Sequence, residues 1–259
     1  MTALQAAAKE PSPLLLYGSD QRPDMIEWER DIARYIRPLM TLDLPEEDGI
    51  PMETNWHRSA MNLLIDSVHA RWHDRSDYFA GGNMFIHYSL EQVLKKAFLG
   101  PDFFVVNDVD GTKKRGKWTV WEEHGRYPDV IVELTSPSTI KMDLGKKKQI
   151  YEHTFHTSEY FCYTPDTQHL QGWQLVHNAY VELEPNAQGW LWSRELHAWM
   201  GTWHGEFQKI DDCWLRLYHE NEELVLTLSE AEAQRATAAE AEIARLKALL
   251  SKHGISAES

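Results

Sequence analysis

Residues 131–152 read IVELTSPSTIKMDLGKKKQIYE, and the order of features in this stretch decides the fold. Ile131, Val132 and Leu134 continue the apolar run begun at Val130, as expected of a strand buried on both faces. The Ser136-Pro137-Ser138-Thr139 turn then breaks the strand. Beyond it, Ile140, Lys147, Ile150, Tyr151 and Phe155 suggest a helix beginning near Asp143. A second β-rich run, EYFCYTP at 159–165, follows. Strand, helix and strand in this order predict a crossover joining neighbouring strands of one sheet.

Upstream, PDFFVVND at 101–108 is another short run of apolar β-formers, separated from the first by a polar segment, 108–126, that carries Lys113, Lys114, Arg115 and Lys117. DYFAGGNMFIHYS at 77–89 reads as an extended pair bent at Gly81–Gly82. Met52 to Asp74 place His57, Met61, Leu64, Val68 and Trp72 at intervals of three and four, the best helical pattern in the body of the chain. A shorter helix is expected over EWERDIARYIRPL at 27–39, and residues 1–24, rich in Ala, Pro and Ser, read as a flexible lead-in.

Downstream, QLVHNAYVELEP at 174–185 alternates as a hairpin around His177 and Asn178. Trp173, Trp190, Trp192, Trp199, Trp203 and Trp214 cluster nearby and read as packed edges of an antiparallel extension. Leu228 to Leu250 lack Pro and Gly and are rich in Ala, Glu and Leu. Ala231, Ala238, Ile243, Leu246 and Leu250 are candidate positions of a coiled-coil seam. The expected organisation is a lead-in at 1–24, one α/β domain at 25–218 and a helical tail at 219–259.

A chain of 259 residues with 42% apolar and 25% charged residues can bury one sizeable core. The formal charge of −14 argues against a sequence-independent grip on nucleic acid. Part of that excess lies in the tail, where eight Glu oppose four basic residues between His219 and Ser259. Cys162 and Cys213, 51 positions apart, fit neither a zinc site nor a disulfide framework. With no signal-peptide pattern and no apolar stretch of membrane-spanning length, a cytoplasmic location is expected. His69 with His73, and His153 with His156, have helical spacing compatible with a metal, but no third ligand accompanies either pair.

Two acids stand against apolar background: Asp102 opens PDFFVV and Glu133 closes DVIVE. A carboxylate there is costly to bury unless it meets a cation or hydrogen-bond donors. One Asp and one Glu converging from adjacent strands are suitable hard ligands for Mg²⁺ or Mn²⁺. Lys147, 14 residues after Glu133, could neutralise a phosphate or hold an attacking water. Pattern alone favours the blander reading of a turn acid, a paired glutamate and a solvated lysine. Asp129 offers another parse, but four residues along a strand separate it from Glu133 by about 13 Å, too far to chelate one ion readily.

Glu133, Ser136, Pro137, Ser138, Thr139, Asp143, Lys147 and Tyr151 together resemble the hallmark segment of the Uma family, restriction-endonuclease-like proteins of the PD-(D/E)-x-K nuclease superfamily. GPDFFVV resembles the family's Pro-Asp strand, EYFCYTPDTQHLQGWQL its next strands, and the likeness extends over roughly residues 45–250. It implies a restriction-endonuclease-like mixed β-sheet flanked by helices, here with a β-rich extension and a C-terminal helix. It also implies a homodimer and metal-dependent cleavage of DNA, with Asp102, Glu133 and Lys147 as catalytic residues. Asp102, Glu133, the Leu134 carbonyl and Glu53 would hold Mg²⁺ or Mn²⁺. Where the superfamily motif has its lysine two residues after the acid, this chain has Thr135, so Lys147, with Lys146 as the alternative, must supply the ammonium. A catalytically inactive member of the fold, acting as a dimeric interaction or DNA-binding module, is the competing expectation.

Overall fold

In a computed structural model of the chain, the described residues are 54–95 and 97–253. The lead-in, the helix expected at 27–39 and Glu53 lie outside them. Helix α1 runs Asn55–Arg71, capped by Thr54, whose side chain accepts from the His57 amide. Strand β1 (Tyr78–Gly81), β2 (Ile86–His87), the short helix α2 (Leu90–Leu94), β3 (Phe103–Asn107), β4 (Trp118–Thr119) and β5 (Val130–Leu134) follow.

The next helix, α3, is built of four contiguous pieces. Ile140–Met142 and Lys148–Ile150 are α-helical, whereas Asp143–Lys147 and Tyr151–Phe155 are π-helical turns. Strands β6 (Glu159–Thr164), β7 (His169–Val176), β8 (Ala179–Glu182), β9 (Leu191–Ser193), β10 (Ala198–Phe207) and β11 (Ile210–Tyr218) precede the C-terminal helix α4, Leu228–Lys252.

A six-stranded mixed sheet in the order β1-β3-β5-β6-β7-β8 carries the molecule. Its one parallel pair is β5 with β6, joined by α3 as the expected crossover, and the other four pairs are antiparallel. All five residues of β5 are buried, consistent with a central strand covered on both sides. On one face, Val130, Val132 and Leu134 meet Ala60, Leu63, Leu64 and Val68 of α1, with Trp214, Leu215 and Leu217 of β11. On the other, Ile131 meets Tyr151 and Phe155 of α3, Tyr160 of β6 and Trp118 of β4. The mixed α/β architecture with a β-rich extension and a C-terminal helix is the expected one.

The extension is a three-stranded antiparallel sheet, β11-β10-β9. Its aromatic edges pack on one another: Trp190 stacks on Tyr218 at 3.8 Å between ring centroids, and Trp192 meets Trp199 edge-on at 5.1 Å. The β7–β8 hairpin turns at His177 and Asn178, both at positive φ, as a two-residue turn of the primed type requires.

Residues 77–89 do not form the expected bent pair. β1 pairs with β3, and β2 pairs in parallel with β4 in a separate two-stranded sheet. The two glycines serve close approach instead. A Cβ added at Gly82 would lie 2.0 Å from the Asp102 carbonyl oxygen, so only glycine lets this segment run against the strand that starts there.

The base of α4 is fixed to β11. Arg216, wholly buried, donates to both carboxylate oxygens of Glu230 at 2.9 and 2.7 Å and to the Val225 carbonyl at 3.0 Å. Thr227 and Glu230 complete a capping box. The Thr227 amide donates to Glu230 Oε2 at 2.8 Å, and the Glu230 amide donates to Thr227 Oγ1 at 3.2 Å. Beyond Ala231, α4 is exposed wherever its side chains are described.

Candidate active site

The antiparallel register of β3 and β5 sets Phe103 opposite Val132, which carries the alternation on to Asp102 opposite Glu133. Strand periodicity then sends Glu133 to the α3 side of the sheet, together with Ile131. Asp102 Oδ2 accepts from the Leu134 amide at 2.7 Å, and the Asp102 amide donates to Glu133 Oε2 at 3.5 Å.

Lys147 enters from α3. Its ammonium is 3.0 Å from Glu133 Oε2 and 2.9 Å from Asp143 Oδ1. Glu133 and Asp143 are only 1% and 2% exposed, so these ion pairs form in a dry environment. The π-helical turn places Asp143 and Lys147, four residues apart, on one line toward the sheet. The Tyr160 hydroxyl donates to the Asp143 carbonyl at 2.9 Å, tying the turn to β6.

Tyr151, on the second π-helical turn, donates from its hydroxyl to Glu133 Oε1 at 2.8 Å, which leaves Glu133 fixed at both oxygens. On the opposite side, His57 Nε2 is 2.8 Å from the Leu134 carbonyl. Thr135, where the superfamily motif has lysine, is buried and tied to β6 through Thr164 Oγ1 at 2.7 Å.

Asp102, Glu133, Lys147 and the Leu134 backbone are thus brought together, and Glu53 lies outside the described residues. Lys146 is exposed, one position away from the inward-facing line of its turn. Asp129 takes up a separate structural post at the other end of β5, accepting from the Asn107 amide at 2.7 Å and pairing with Arg126 at 3.0 Å. Sequence pattern alone does not single out Asp143, Tyr151 and His57 as site members. The first two stand in the quoted motif, and the spacing of Asp143 four before Lys147 is the available signal. His57 is hidden within the helical stripe of α1.

Burial pushes the Glu133 carboxyl up to about 8. Lys147 opposes this rise, and the neighbouring Asp102 and Asp143 add to it. Asp102 is raised too, by burial first, against the Leu134 amide and Lys147. For Lys147 burial acts downward, but the surrounding carboxylates outweigh it and hold the ammonium above its ordinary range. The cluster therefore retains protons that a solvated set of acids would lose, and a further cation would displace them.

Among the described residues, no three or more His, Cys, Asp or Glu side chains converge as a ready cage for an ion. Mg²⁺ does not need one: it is commonly held by one or two carboxylates and keeps several waters. Asp102 and Glu133 are hard oxygen donors on facing strands, and their burial with Asp143 leaves three acids facing one lysine. On charge and donor chemistry, this pair fits a divalent cation.

The expected histidine pairs hold no such arrangement. His69 Nδ1 lies 2.8 Å from the Tyr78 hydroxyl, His73 pairs with Asp74 and His153 with Glu152. In the basic segment at 113–117, Lys113 and Arg115 share one carboxylate, Glu123, at 2.6 and 2.9 Å.

The architecture and site define an α/β protein in which two strand-borne acids meet a helix-borne lysine at the end of a mixed sheet. By its match over residues 42–202 to the family model Uma2, described as "Putative restriction endonuclease", the chain belongs to that family. It is also similar to a crystal structure described as a "putative nuclease" from Anabaena variabilis, at 14% identity, covering 59% of this chain and 86% of that one with a TM-score of 0.39. No curated protein matches. Among the described residues, no helix is long and apolar enough to cross a membrane.

Proposed function

We propose that the protein is a divalent-metal-dependent endonuclease that hydrolyses DNA phosphodiester bonds, with Mg²⁺ or Mn²⁺ as the ion. The observation that carries this reading is the buried Glu133, adjoining Asp102 and 3.0 Å from the Lys147 ammonium, in a chain of the restriction-endonuclease-like family. In it, Asp102 and Glu133 would hold the ion with the Leu134 carbonyl. Glu53, which precedes Thr54 in the sequence, would be the additional acid. When bound, the ion supplies Lewis-acid polarisation of the phosphoryl oxygen and acidifies a water.

Lys147 donates to the scissile phosphate or to the attacking water and offsets charge developing on the phosphoryl oxygens. Asp143 holds Lys147 in place, and Tyr151 holds Glu133. His57 anchors the Leu134 carbonyl, so that the backbone donor does not drift. In the same reading the catalytic body spans 25–218, behind a lead-in at 1–24, and the tail 219–259 serves assembly. The protein works in the cytoplasm as a homodimer.

A second reading, an inactive fold that serves as a dimeric interaction or DNA-binding module, is favoured by one observation. Lys113 and Arg115 share Glu123 in a chain of net charge −14, a balance ill suited to gripping a nucleic-acid backbone, so it favours the interaction module over DNA binding. Purified protein is incubated with supercoiled and single-stranded DNA at low salt with Mg²⁺ or Mn²⁺, beside Glu133→Ala and Lys147→Ala. Metal-dependent nicking by the parent that both variants lose supports the enzyme. Equal background nicking by all three supports the inactive module.

A further inference from the structure

Every described side chain of α4 from Glu232 to Leu250 is exposed, and none of them packs on the body. A solitary solvated helix gains nothing from tertiary burial, which is where most helical stability in proteins arises. This one also concentrates exposed large apolar residues. Ile243 is 52% exposed, Leu246 47%, Leu249 43% and Leu250 37%. Read back from Leu250 with alternating steps of four and three, the apolar line passes through Leu246, Ile243, Ala239 and Ala236 rather than Ala238 and Ala231.

We infer that α4 pairs with α4 of a second copy of this chain as a parallel, in-register two-stranded coiled coil over Ala236–His253. The homodimer proposed above is thereby given a surface and a polarity. In heptad terms Ala236, Ile243 and Leu250 take the a positions, and Ala239 and Leu246 the d positions. A β-branched residue at a with leucine at d, as in Ile243 and Leu246, suits a parallel two-stranded pair. In-register parallel pairing also sets each large residue against its own copy and leaves small alanine against alanine.

Charge complementarity points to the same occupant. The g positions are Arg235, Glu242 and the apolar Leu249, and the e positions five residues beyond the two charged ones are Glu240 and Lys247. Parallel pairing therefore sets Arg235 against Glu240 of the second copy and Glu242 against Lys247, both of opposite sign. In the single chain Glu242 is paired with Arg245 at 2.8 Å and Arg235 with Glu232 at 2.8 Å. These are exposed surface pairs, readily exchanged for partners across the seam. Because the clamp through Arg216 and Glu230 fixes the base of each helix, parallel pairing brings two bodies to the same end of the assembly.

The test is sedimentation of the full-length protein across concentration, beside variants in the exposed helix, where no core contact is altered. The parent is expected to dimerise and Ile243→Asp/Leu246→Asp to sediment as a monomer. Glu242→Lys and Lys247→Glu should each weaken the dimer by about fivefold or more, and the double exchange should restore it. Ala236→Cys should form a disulfide-linked dimer on oxidation. In an antiparallel pair centred on Ile243 the two copies of residue 236 would stand about 21 Å apart.

A parent that stays monomeric overturns both the dimer and the seam. A dimer indifferent to Ile243→Asp/Leu246→Asp overturns the seam and leaves a homodimer through another surface. Loss of the dimer in that variant, without charge-exchange rescue or a disulfide cross-link in Ala236→Cys, overturns the parallel polarity. None of these readouts depends on DNA cleavage, so they stand apart from the nuclease reading.

Discussion

The ammonium of Lys147 lies 3.0 Å from Glu133 Oε2, although a turn and the start of a helix separate the two in the chain. In Lys147→Met the stem stays and the charge goes, leaving Glu133 and Asp143 buried against each other. The variant is expected to lose about 10²-fold or more in cleavage and about 3 kcal/mol in stability. Nicking rates and denaturant titration measure the two effects. Unchanged cleavage would remove Lys147 from the mechanism.

Glu133→Gln keeps the shape and the capacity to accept from Tyr151 but relieves the cost of a buried charge. Its melting temperature without metal is expected to equal or exceed that of the parent at pH 8. Mg²⁺ should raise the parent's melting temperature, because it binds the folded state alone, and leave the variant's unmoved. A matching Mg²⁺ response in both proteins would exclude Glu133 as a ligand.

Besides Asp102, three carboxyls are raised, chiefly by burial: Asp129 to about 6, Glu159 to about 7 and Glu133 to about 8. Raised acids bind more protons folded than unfolded. Their contribution is full below the ordinary carboxylate range and is lost as pH climbs through 6, 7 and 8. Metal-free protein should therefore melt at a lower temperature at pH 8.5 than at pH 5. Added Mg²⁺ should narrow the gap by holding Glu133 ionised, with an affinity that rises toward pH 8. A flat profile across this range would show that burial does not raise these groups.

Gly82→Ala would put a methyl 2.0 Å from the Asp102 carbonyl oxygen and 2.7 Å from Met61 Cγ. Backbone cannot yield as a side-chain tip can, so β3 must shift at the residue that opens the site. A stability loss of about 1–3 kcal/mol is expected, with a larger proportional loss in cleavage than in melting temperature. Wild-type cleavage in Gly82→Ala would mean that the site tolerates movement of Asp102.

The core strands were legible because strands covered on both faces have no polar side to conceal. Phe103–Val106, Val130–Leu134 and Tyr160–Tyr163 are unbroken buried runs. The β7–β8 hairpin was legible because His177 and Asn178 mark its turn locally. The partners of β1 and β2 were not, since β3 and β4 lie 20 residues or more along the chain and the intervening glycines mimic a local bend. The π-helical turns were hidden as well, because apolar spacing along α3 tolerates either winding. Likewise, nothing in the 113–117 run reveals that Lys113 and Arg115 converge on Glu123. At the candidate site, Glu133 was readable as an acid in the wrong company. His57 acts through a backbone carbonyl 77 residues away, a kind of partnership that leaves no mark in a linear pattern.

The Arg216–Glu230 clamp divides α4 by susceptibility as well as by contact. Opening the first turn would strand a wholly buried guanidinium, whereas opening any later turn exposes only groups already in water. In the unpaired chain, fraying should therefore travel inward from the C-terminal end and halt at Ala231. In the monomeric Ile243→Asp/Leu246→Asp variant, amide exchange and proteolytic nicking would register there a sharp step, fast beyond it and slow before it. The residue that stops the unzipping sits on a strand, not in the helix.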